Sequence, residues 1–546
     1  MFGKLWLMQQ TAVTSSSPER GTSERFFTRV KYQALDLPSV GAALLSSFLL
    51  ILAFPDFDLW PLAWIALLPL LLAIARKPSG PRAFMLGWLS GTVFFYCSCY
   101  WLTFSMIHYG GLPVWLAYLL LFPGALVVGV FPALFAFTLS LAISRYRQYA
   151  LLLAPIFWVA FEWARLGVTG QLWNALGYSQ AYQPWLIQAA NWGGVYAVSF
   201  LIVTINAAVA FLIINRSKRS IIVAASGVIA VIVVVFLSPI HAEQETSVAG
   251  RVVALQPNVP MALIKSAEEM RELTARHITM SEEGLGRLPH DTTPVLVIWP
   301  ESPMNFTYAG DAQFREFISS FAREHGTSLL FNSQEPAPNN GIYNSAVLIN
   351  RDGSMVGQYD KIRLLPFGEY VPLPRWLPGA NLITAIVGDF SPGVNYTLLP
   401  AGEAKAGVFI CIESAYPSIA RRFTEDGAEV LINISNDGYL GRTAVLRQHL
   451  ANAIFRATEN RRPLLRVTNT GITAFITKNG KVVDATDVFE PAVRVWDVKH
   501  NSSDRTFYTR HGDLFALSCA VVTLIVFTLA LLARGKAQRS RISENA

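Results

Sequence analysis

Residues 407–417 read GVFICIESAYP. An apolar run of strand length ends on Cys411, and Glu413 follows two positions later. The chain has four cysteines, at 97, 99, 411 and 519, and the other three fall in strongly apolar segments. A lone thiol in polar territory at a strand end has two readings. It is a small buried core residue, or it is a nucleophile that works as a thiolate.

The composition sets the frame around that stretch. Of 546 residues, 52% are hydrophobic and 15% charged, with a mean hydropathy of +0.37. A soluble domain carries about 25% charged residues. The apolar residues are bunched. Seven stretches precede residue 241, at about 39–54, 59–75, 84–107, 113–143, 149–166, 187–214 and 220–239, and an eighth lies at 513–533. A helix needs roughly 20 apolar residues to cross a hydrocarbon core, so about eight transmembrane helices are expected. The fourth stretch is long and holds Pro123 and Pro132, which favours a tilt or kink. Trp60, Trp101, Trp115, Trp173 and Trp185 stand near stretch ends and read as an interfacial belt.

The net charge of +7 does not point to nucleic acid, because the basic residues are placed by topology. Clusters occur at Arg25/Arg29/Lys31, Arg76/Lys77/Arg82, Arg145/Arg147, Arg216/Lys218/Arg219 and Arg534/Lys536/Arg539/Arg541. After the first, they follow every second apolar stretch, while loops such as PDFDLWP hold almost no Lys or Arg. That is the positive-inside pattern. It predicts a cytoplasmic tail over 1–36, a seven-span region over 37–240, an outer domain over 241–511, a last span over 512–534 and a basic cytoplasmic tail over 535–546. Residues 1–36 lack the apolar core and cleavage site of a signal peptide.

Over 250–500 the pattern changes to short apolar runs alternating with helix-compatible stretches. RVVALQPN, PVLVIWPE, SLLFNSQE, IYNSAVLIN, SMVGQYDK, AGVFICIE, AEVLINISND and PLLRVTNTG read as strands. AQFREFISSFAREHG, closed by Gly326, and AVLRQHLANAIFRATENR read as helices. The alternation predicts an α/β fold with sheets buried between helices.

Four strand ends carry chemistry: Glu301, Lys361, Cys411 and Asn436/Asp437. In open α/β sheets ligands bind beyond the carboxyl ends of strands, so these residues are expected to form one site. Cys411 is the nucleophile of that scheme. Glu301 is placed to remove its proton and Lys361 to stabilise a tetrahedral oxyanion, with the backbone N–H of Ile412 as second donor. Glu413 is placed to orient Lys361 or to tune the pocket. No histidine enters the scheme, and His449 is the nearest candidate. Each element alone has a bland reading: WPES as a turn, YDK as a surface tripeptide, Cys97-Ser98-Cys99 as packing rather than a metal site. No metal and no cofactor are implied.

The ordered set WPES (299–302), YDKIRLLPFGEYVP (359–372), GVFICIES (407–414) and NISNDGYLG (433–441) resembles the nitrilase superfamily, whose members use a Glu-Lys-Cys triad. With the apolar frame, and with LGYSQ at 176–180 and RATENRRPLLRVTNTGITA at 456–474, nearly the whole chain resembles the bacterial apolipoprotein N-acyltransferase family. That resemblance implies a helical membrane bundle plus an α/β nitrilase-like sandwich in the periplasm, on a bacterial inner membrane. It implies transfer of a fatty acyl chain from a phospholipid, phosphatidylethanolamine above all, through a cysteine thioester to the α-amino group of a lipoprotein's N-terminal diacylglyceryl-cysteine. It carries Glu301, Lys361 and Cys411 over as the triad, with Glu369 and Glu413 as supporting acids.

Two positions depart from the family pattern. Ile412 stands where Tyr is common, so an aromatic pocket wall is expected from Tyr343 or Tyr416. QPNVPMALIKSAEE lacks a Trp common after its PN-P stretch. The apolar segment 375–393, with Trp376, Leu382 and Ile386, reads as a lid leaning on lipid or as a packed loop. Two rival functions share parts of this pattern. A membrane-tethered amidase or nitrilase would use the same triad on a small substrate. A transporter would place charges in its spans, and Glu162 and Arg165 are the main ones here.

Overall fold

The computed structural model describes residues 35–170, 172–238, 246–261, 265–371, 390–501 and 504–544, with side chains to 533. The expected tail 1–36 therefore lies almost wholly outside the described residues.

The amino-terminal half is helical. Four described helical segments are long and apolar enough to cross a membrane, or five if the pair Gly80–Ser98 and Leu102–His108, bent by 50°, counts as one span. The sequence-based count of eight differs for three reasons. The first two expected spans are the shorter apolar helices Leu37–Ala53 and Trp60–Arg76. The expected third span breaks after Ser98, short of its full length. The expected fourth and fifth merge into one helical segment, Val114–Thr169, joined by a 3-10 stretch at Arg147–Leu153. Pro123 and Pro132 sit inside the helix Val114–Tyr146.

The carboxy-terminal half contains two six-stranded sheets. The first orders its strands β12-β1-β2-β3-β4-β5 and the second β11-β10-β9-β8-β7-β6. The first comprises β1 (Val248–Gln256), β2 (Val295–Ile298), β3 (Ser328–Ala337), β4 (Gly341–Ile349), β5 (Met355–Asp360) and β12 (Ala492–Lys499). The second comprises β6 (Leu398–Ala401), β7 (Ala404–Ile410), β8 (Val430–Ser435), β9 (Leu464–Thr468), β10 (Ala474–Ile476) and β11 (Val482–Val483). In each sheet the three central strands are parallel and the outer ones antiparallel. All eight sequence-based strands are present. β6, β10, β11 and β12 carried no clear pattern, since three of them are at most four residues long.

Strand alternation builds the layers. Val252, Ala254, Leu296, Ile298 and Leu348 face a core shared with Val408, Ile410 and Ile432 of the second sheet. Val253, Leu255, Val297, Leu329 and Val347 face the other way, against Leu273, Ile318 and Phe321 of the helices Ala267–Gly286 and Ala312–His325.

The helix Val445–Asn460 covers the second sheet, and every residue in it except Arg447 is buried. It does not touch water on a polar face because the helical bundle packs on that face. Gln448 makes four bonds there. Its Oε1 accepts from the indoles of Trp101 (3.0 Å) and Trp173 (2.8 Å). Its Nε2 donates to the carbonyls of Pro55 and Ser98, both at 3.1 Å. Trp101 and Trp173 are thus buried beneath the α/β domain and do not belong to an interfacial belt, whereas Trp115 and Trp185 are exposed. Further along, Arg456 donates to the Tyr178 hydroxyl (3.1 Å) and Glu459 accepts from the Val195 N–H (3.0 Å). Both partners lie in the bundle, Tyr178 within the LGYSQ stretch.

Glu162 and Arg165 are buried but do not form an ion pair within 4 Å. Glu162 accepts from the Leu176 N–H (2.8 Å), and Arg165 donates to the Trp173 carbonyl (2.5 Å). They brace the turn beneath Trp173. All four cysteines are free; Cys519 is buried, but Cys97 is exposed and so does not pack as expected.

Removing the Gln448 amide takes a hydrogen bond from each of two buried indoles and two buried carbonyls, and a buried polar group left unsatisfied costs about 1–3 kcal/mol. Gln448→Leu is expected to lower the thermal midpoint of the detergent-solubilised protein by several degrees, read by intrinsic tryptophan fluorescence. An unchanged midpoint would show that this contact does not join the two halves.

Candidate active site

Glu301, Lys361 and Cys411 meet between the two sheets, each just beyond the end of its strand: β2, β5 and β7. Lys361 is 1% exposed, with Nζ 2.8 Å from Glu369 Oε1 and 3.7 Å from Glu301 Oε1. Burial opposes its charge, but Glu369 and Glu301 outweigh burial and hold its pKa above the usual lysine range. An ammonium has three N–H donors, so donor capacity remains for a further oxygen.

Asn344, on β4, ties the acids together. Its Nδ2 donates to Glu301 Oε1 (3.0 Å) and Glu369 Oε1 (2.7 Å), and its Oδ1 accepts from Asn332 Nδ2 (2.7 Å). Glu301 Oε2 accepts from the Asn436 backbone N–H (3.0 Å). Burial raises the Glu301 pKa, with Glu369 adding to the rise and Lys361 opposing it. A raised carboxylate is a better proton acceptor. Its charge reaches the Cys411 thiol, whose pKa it helps to raise.

Cys411 opens a 3-10 turn, Cys411–Ala415, with φ +51°. A side chain in that left-handed region is uncommon and is held there by its surroundings. Burial and the Glu301 charge raise its pKa well above the usual thiol range, against the pull of Lys361. The resting group is therefore a thiol beside a base, not a preformed thiolate. The Ile412 N–H belongs to the first residues of that turn, where N–H groups have no partner within the turn.

Glu413 is fully buried and accepts from four donors. One is the Tyr359 hydroxyl, shared between its two oxygens (2.8 and 2.9 Å), and the others are the N–H groups of Ile362 (2.8 Å), Arg363 (3.0 Å) and Ile410 (2.8 Å). It joins the chain after Lys361 to the chain before Cys411. Of the two roles the sequence allowed it, orienting Lys361 or tuning the pocket, its bonds bear on the first, and they act through the backbone next to Lys361. Burial raises its pKa to about 6 while the N–H donors oppose the rise.

The aromatic candidates separate. Tyr416 is buried, with the Arg363 guanidinium 5.7 Å from its ring centre, beside the chain that carries Lys361. Tyr343 is adjacent in β4 to Asn344, so its side chain leaves the opposite face of the sheet. It does not wall the cleft, contrary to the expectation. Trp376, Leu382 and Ile386 lie outside the described residues. Past them, the Phe390 N–H returns to the Glu369 carbonyl (3.0 Å), so the expected lid segment is tied at that end to the site.

Sequence reasoning missed Asn344, Tyr359 and the linkage of a second polar group beneath Cys411, of which it named Asp437 and His449 without joining them. There His449 Nε2 lies 3.0 Å from the Cys411 carbonyl and Nδ1 lies 2.8 Å from Asp437 Oδ1, while Arg466 Nη2 donates to Asp437 Oδ2 (2.8 Å). The signal was an arginine in the middle of the apolar strand PLLRVT. A buried guanidinium requires a buried anion. Among the described residues no group of three or more His, Cys, Asp or Glu is placed to hold a metal ion.

Comparison with known proteins follows the same division. Residues 46–208 match the family described as Apolipoprotein N-acyltransferase N-terminal domain, and residues 259–506 match Carbon-nitrogen hydrolase. An apolipoprotein N-acyltransferase of Geobacter metallireducens is 34% identical over 91% of this chain and 98% of its own. One from Thermotoga maritima is 30% identical over 90% and 94%. Among solved structures, an amidase from Nesterenkonia sp. is 17% identical over 50% of this chain and 96% of its own, with a TM-score of 0.35, too low to bear on the fold. The identity to full-length relatives and the two matched halves together place the chain in the apolipoprotein N-acyltransferase family.

Proposed function

We propose that this protein transfers a fatty acyl chain from a membrane phospholipid, phosphatidylethanolamine above all, to the α-amino group of a lipoprotein's N-terminal diacylglyceryl-cysteine. The observation that carries this reading is the meeting of Glu301, Lys361 and Cys411 in one buried cleft, mounted on apolar helices. Its relatives bear the name of that activity.

The chemistry follows from the geometry. Cys411 Sγ attacks the donor's ester carbonyl while Glu301 takes the thiol proton. The tetrahedral oxyanion accepts from Lys361 Nζ and the Ile412 N–H. Collapse expels the lysophospholipid alkoxide, which takes the proton back from Glu301, and leaves the acyl chain as a thioester. In the second half the lipoprotein amine attacks the thioester, Glu301 accepts its proton, and the thiol departs protonated. A raised Glu301 and a neutral resting thiol suit this base-first route. Glu369 and Glu413 support the site, Glu369 as the near counter-charge of Lys361 and Glu413 through backbone.

In this reading eight helices cross the inner membrane, the termini are cytoplasmic and the α/β domain lies in the periplasm. What supports it is the alternation of basic and Lys/Arg-poor loops, together with the exposed apolar faces of helices such as Lys218–Leu237 and Leu514–Ala533. A site held at the membrane surface meets two lipid-anchored substrates without extracting either.

Three outcomes are expected. Wild-type protein incubated with phospholipid carries an acyl adduct on Cys411 by intact mass spectrometry, and Cys411→Ala carries none; an adduct on the alanine variant would remove Cys411 from the mechanism. Glu301→Gln and Lys361→Met each slow single-turnover acylation by about 10²-fold or more; near-normal rates would show that other residues do this work. Single labelling cysteines at Ser79, Gly110, Ser217, Asn339 and Gln538 report outside exposure only at Gly110 and Asn339; any other pattern overturns the eight-span topology.

A further inference from the structure

The carbonyl of Cys411 faces two polar side chains on the second sheet's outer side, one from β8 and one from the helix Val445–Asn460. His449 Nε2 is 3.0 Å away and Asn433 Nδ2 is 3.4 Å away. Both donors are wired to one buried guanidinium. Arg466 Nη1 donates to Asn433 Oδ1 (2.5 Å), and Nη2 donates to Asp437 Oδ2 (2.8 Å). Asp437 Oδ1 also faces His449 Nδ1 (2.8 Å) and accepts from the Ser435 hydroxyl (3.0 Å). His449, Asp437 and Arg466 are all buried.

His449 therefore has an acceptor at each ring nitrogen, a carboxylate at Nδ1 and a carbonyl at Nε2. A neutral imidazole has one N–H. With its proton on Nδ1 toward Asp437, the Nε2 lone pair would face the carbonyl lone pairs at 3.0 Å, which is repulsive. Only the doubly protonated ring satisfies both contacts. We infer that His449 is held as an imidazolium that clamps the Cys411 carbonyl, and so aims and strengthens the Ile412 N–H at the other end of the same peptide unit. This rests on the reading of that N–H as an oxyanion donor.

The physical link is the planar peptide group. The C=O of residue 411 and the N–H of residue 412 point in opposite directions from one rigid unit. A donor on the oxygen fixes the direction of the N–H and draws electron density from it, making it a better donor. The clamp also helps to hold Cys411 at its left-handed φ. The charges around the ring are balanced against each other. Burial and the Arg466 guanidinium push the His449 pKa below the usual imidazole value, against the pull of Asp437 and of the ring's two hydrogen bonds; the case for the second proton is geometric, because a carboxylate at Nδ1 and a carbonyl at Nε2 leave a neutral ring with one contact unsatisfied. Burial alone would raise Asp437, but Arg466 and His449 outweigh it and hold its pKa below the usual carboxylate range. The Cys411 carbonyl faces the ring from the turn after β7, and from the helical bundle the Trp173 indole lies 5.5 Å away between ring centres. His449 is a positioning residue in this account, since it acts through the backbone and does not touch the reacting atoms.

The test is single-turnover thioester formation on the full-length protein in mixed micelles, with phosphatidylethanolamine carrying an alkyne-tagged acyl chain. The rate of wild type is expected to fall at both ends of the pH range, on the acid side as Glu301 gains its proton and on the alkaline side as His449 loses one. His449→Leu is expected to lower the limiting single-turnover rate by about 10–100-fold, the scale of a weakened oxyanion donor, with the half-saturating lipid concentration unchanged. His449→Gln keeps an N–H without the charge. It is expected to recover much of the rate and to lose the alkaline decline. Asp437→Asn removes the anion that holds the proton, so the decline moves to lower pH. Should the leucine variant fail to fold, the glutamine variant decides by its pH profile. A glutamine variant that keeps the wild-type alkaline decline, or leucine and glutamine variants both within about twofold of wild type, would overturn the clamp. Absence of any acyl group on wild-type Cys411 would instead overturn the nucleophile assignment, a separate failure.

Discussion

A buried ammonium is the constraint on which the site depends. Lys361 is almost wholly out of water, and an unpaired charge there would cost several kcal/mol. Glu369 at 2.8 Å and Glu301 at 3.7 Å offset that cost. Two carboxylates so close repel each other, and Asn344 relieves this by donating to both. The whole set is therefore interdependent. Removing one member leaves the others mismatched in charge or hydrogen bonding. In the intact set, Glu301 with a raised pKa stands next to a thiol with a raised pKa, so both protons are held until something else enters the cleft.

A second constraint places this chemistry against the helical bundle. The helix Val445–Asn460 is shared between the two halves. On one side His449 reaches the backbone of Cys411. One residue earlier, Gln448 binds Trp101 and Trp173. Successive residues on a helix are about 100° apart, so one turn serves both contacts. The position of Cys411 relative to the bundle is thus set over two adjacent side chains, with little freedom to drift.

Much of the α/β half was legible because its central strands are continuous apolar runs and their ends carry the reactive residues. Glu301, Lys361 and Cys411 were found that way. Asn344 was not, since an asparagine in the strand IYNSAVLIN carries no periodic signal. His449 was passed over because on a helix it looked remote from a strand end, and Tyr343 was taken as a wall because the sequence does not say which face of β4 looks into the cleft. Trp101 and Trp173 were assigned to a membrane interface on their position alone.

What the sequence determined by itself was local: where the apolar helices and strands lie, which strand ends bear an acid, an amine and a thiol, and which loops are basic. Those follow from hydrophobic periodicity and residue chemistry over short windows. Only the tertiary structure decided which charges pair, which tryptophans are buried, and that Glu413 binds backbone on both sides of the cleft. These depend on contacts between residues tens to hundreds of positions apart, such as Gln448 with Pro55. Burial sets their strength, by removing the water that would otherwise compete for each bond and screen each charge.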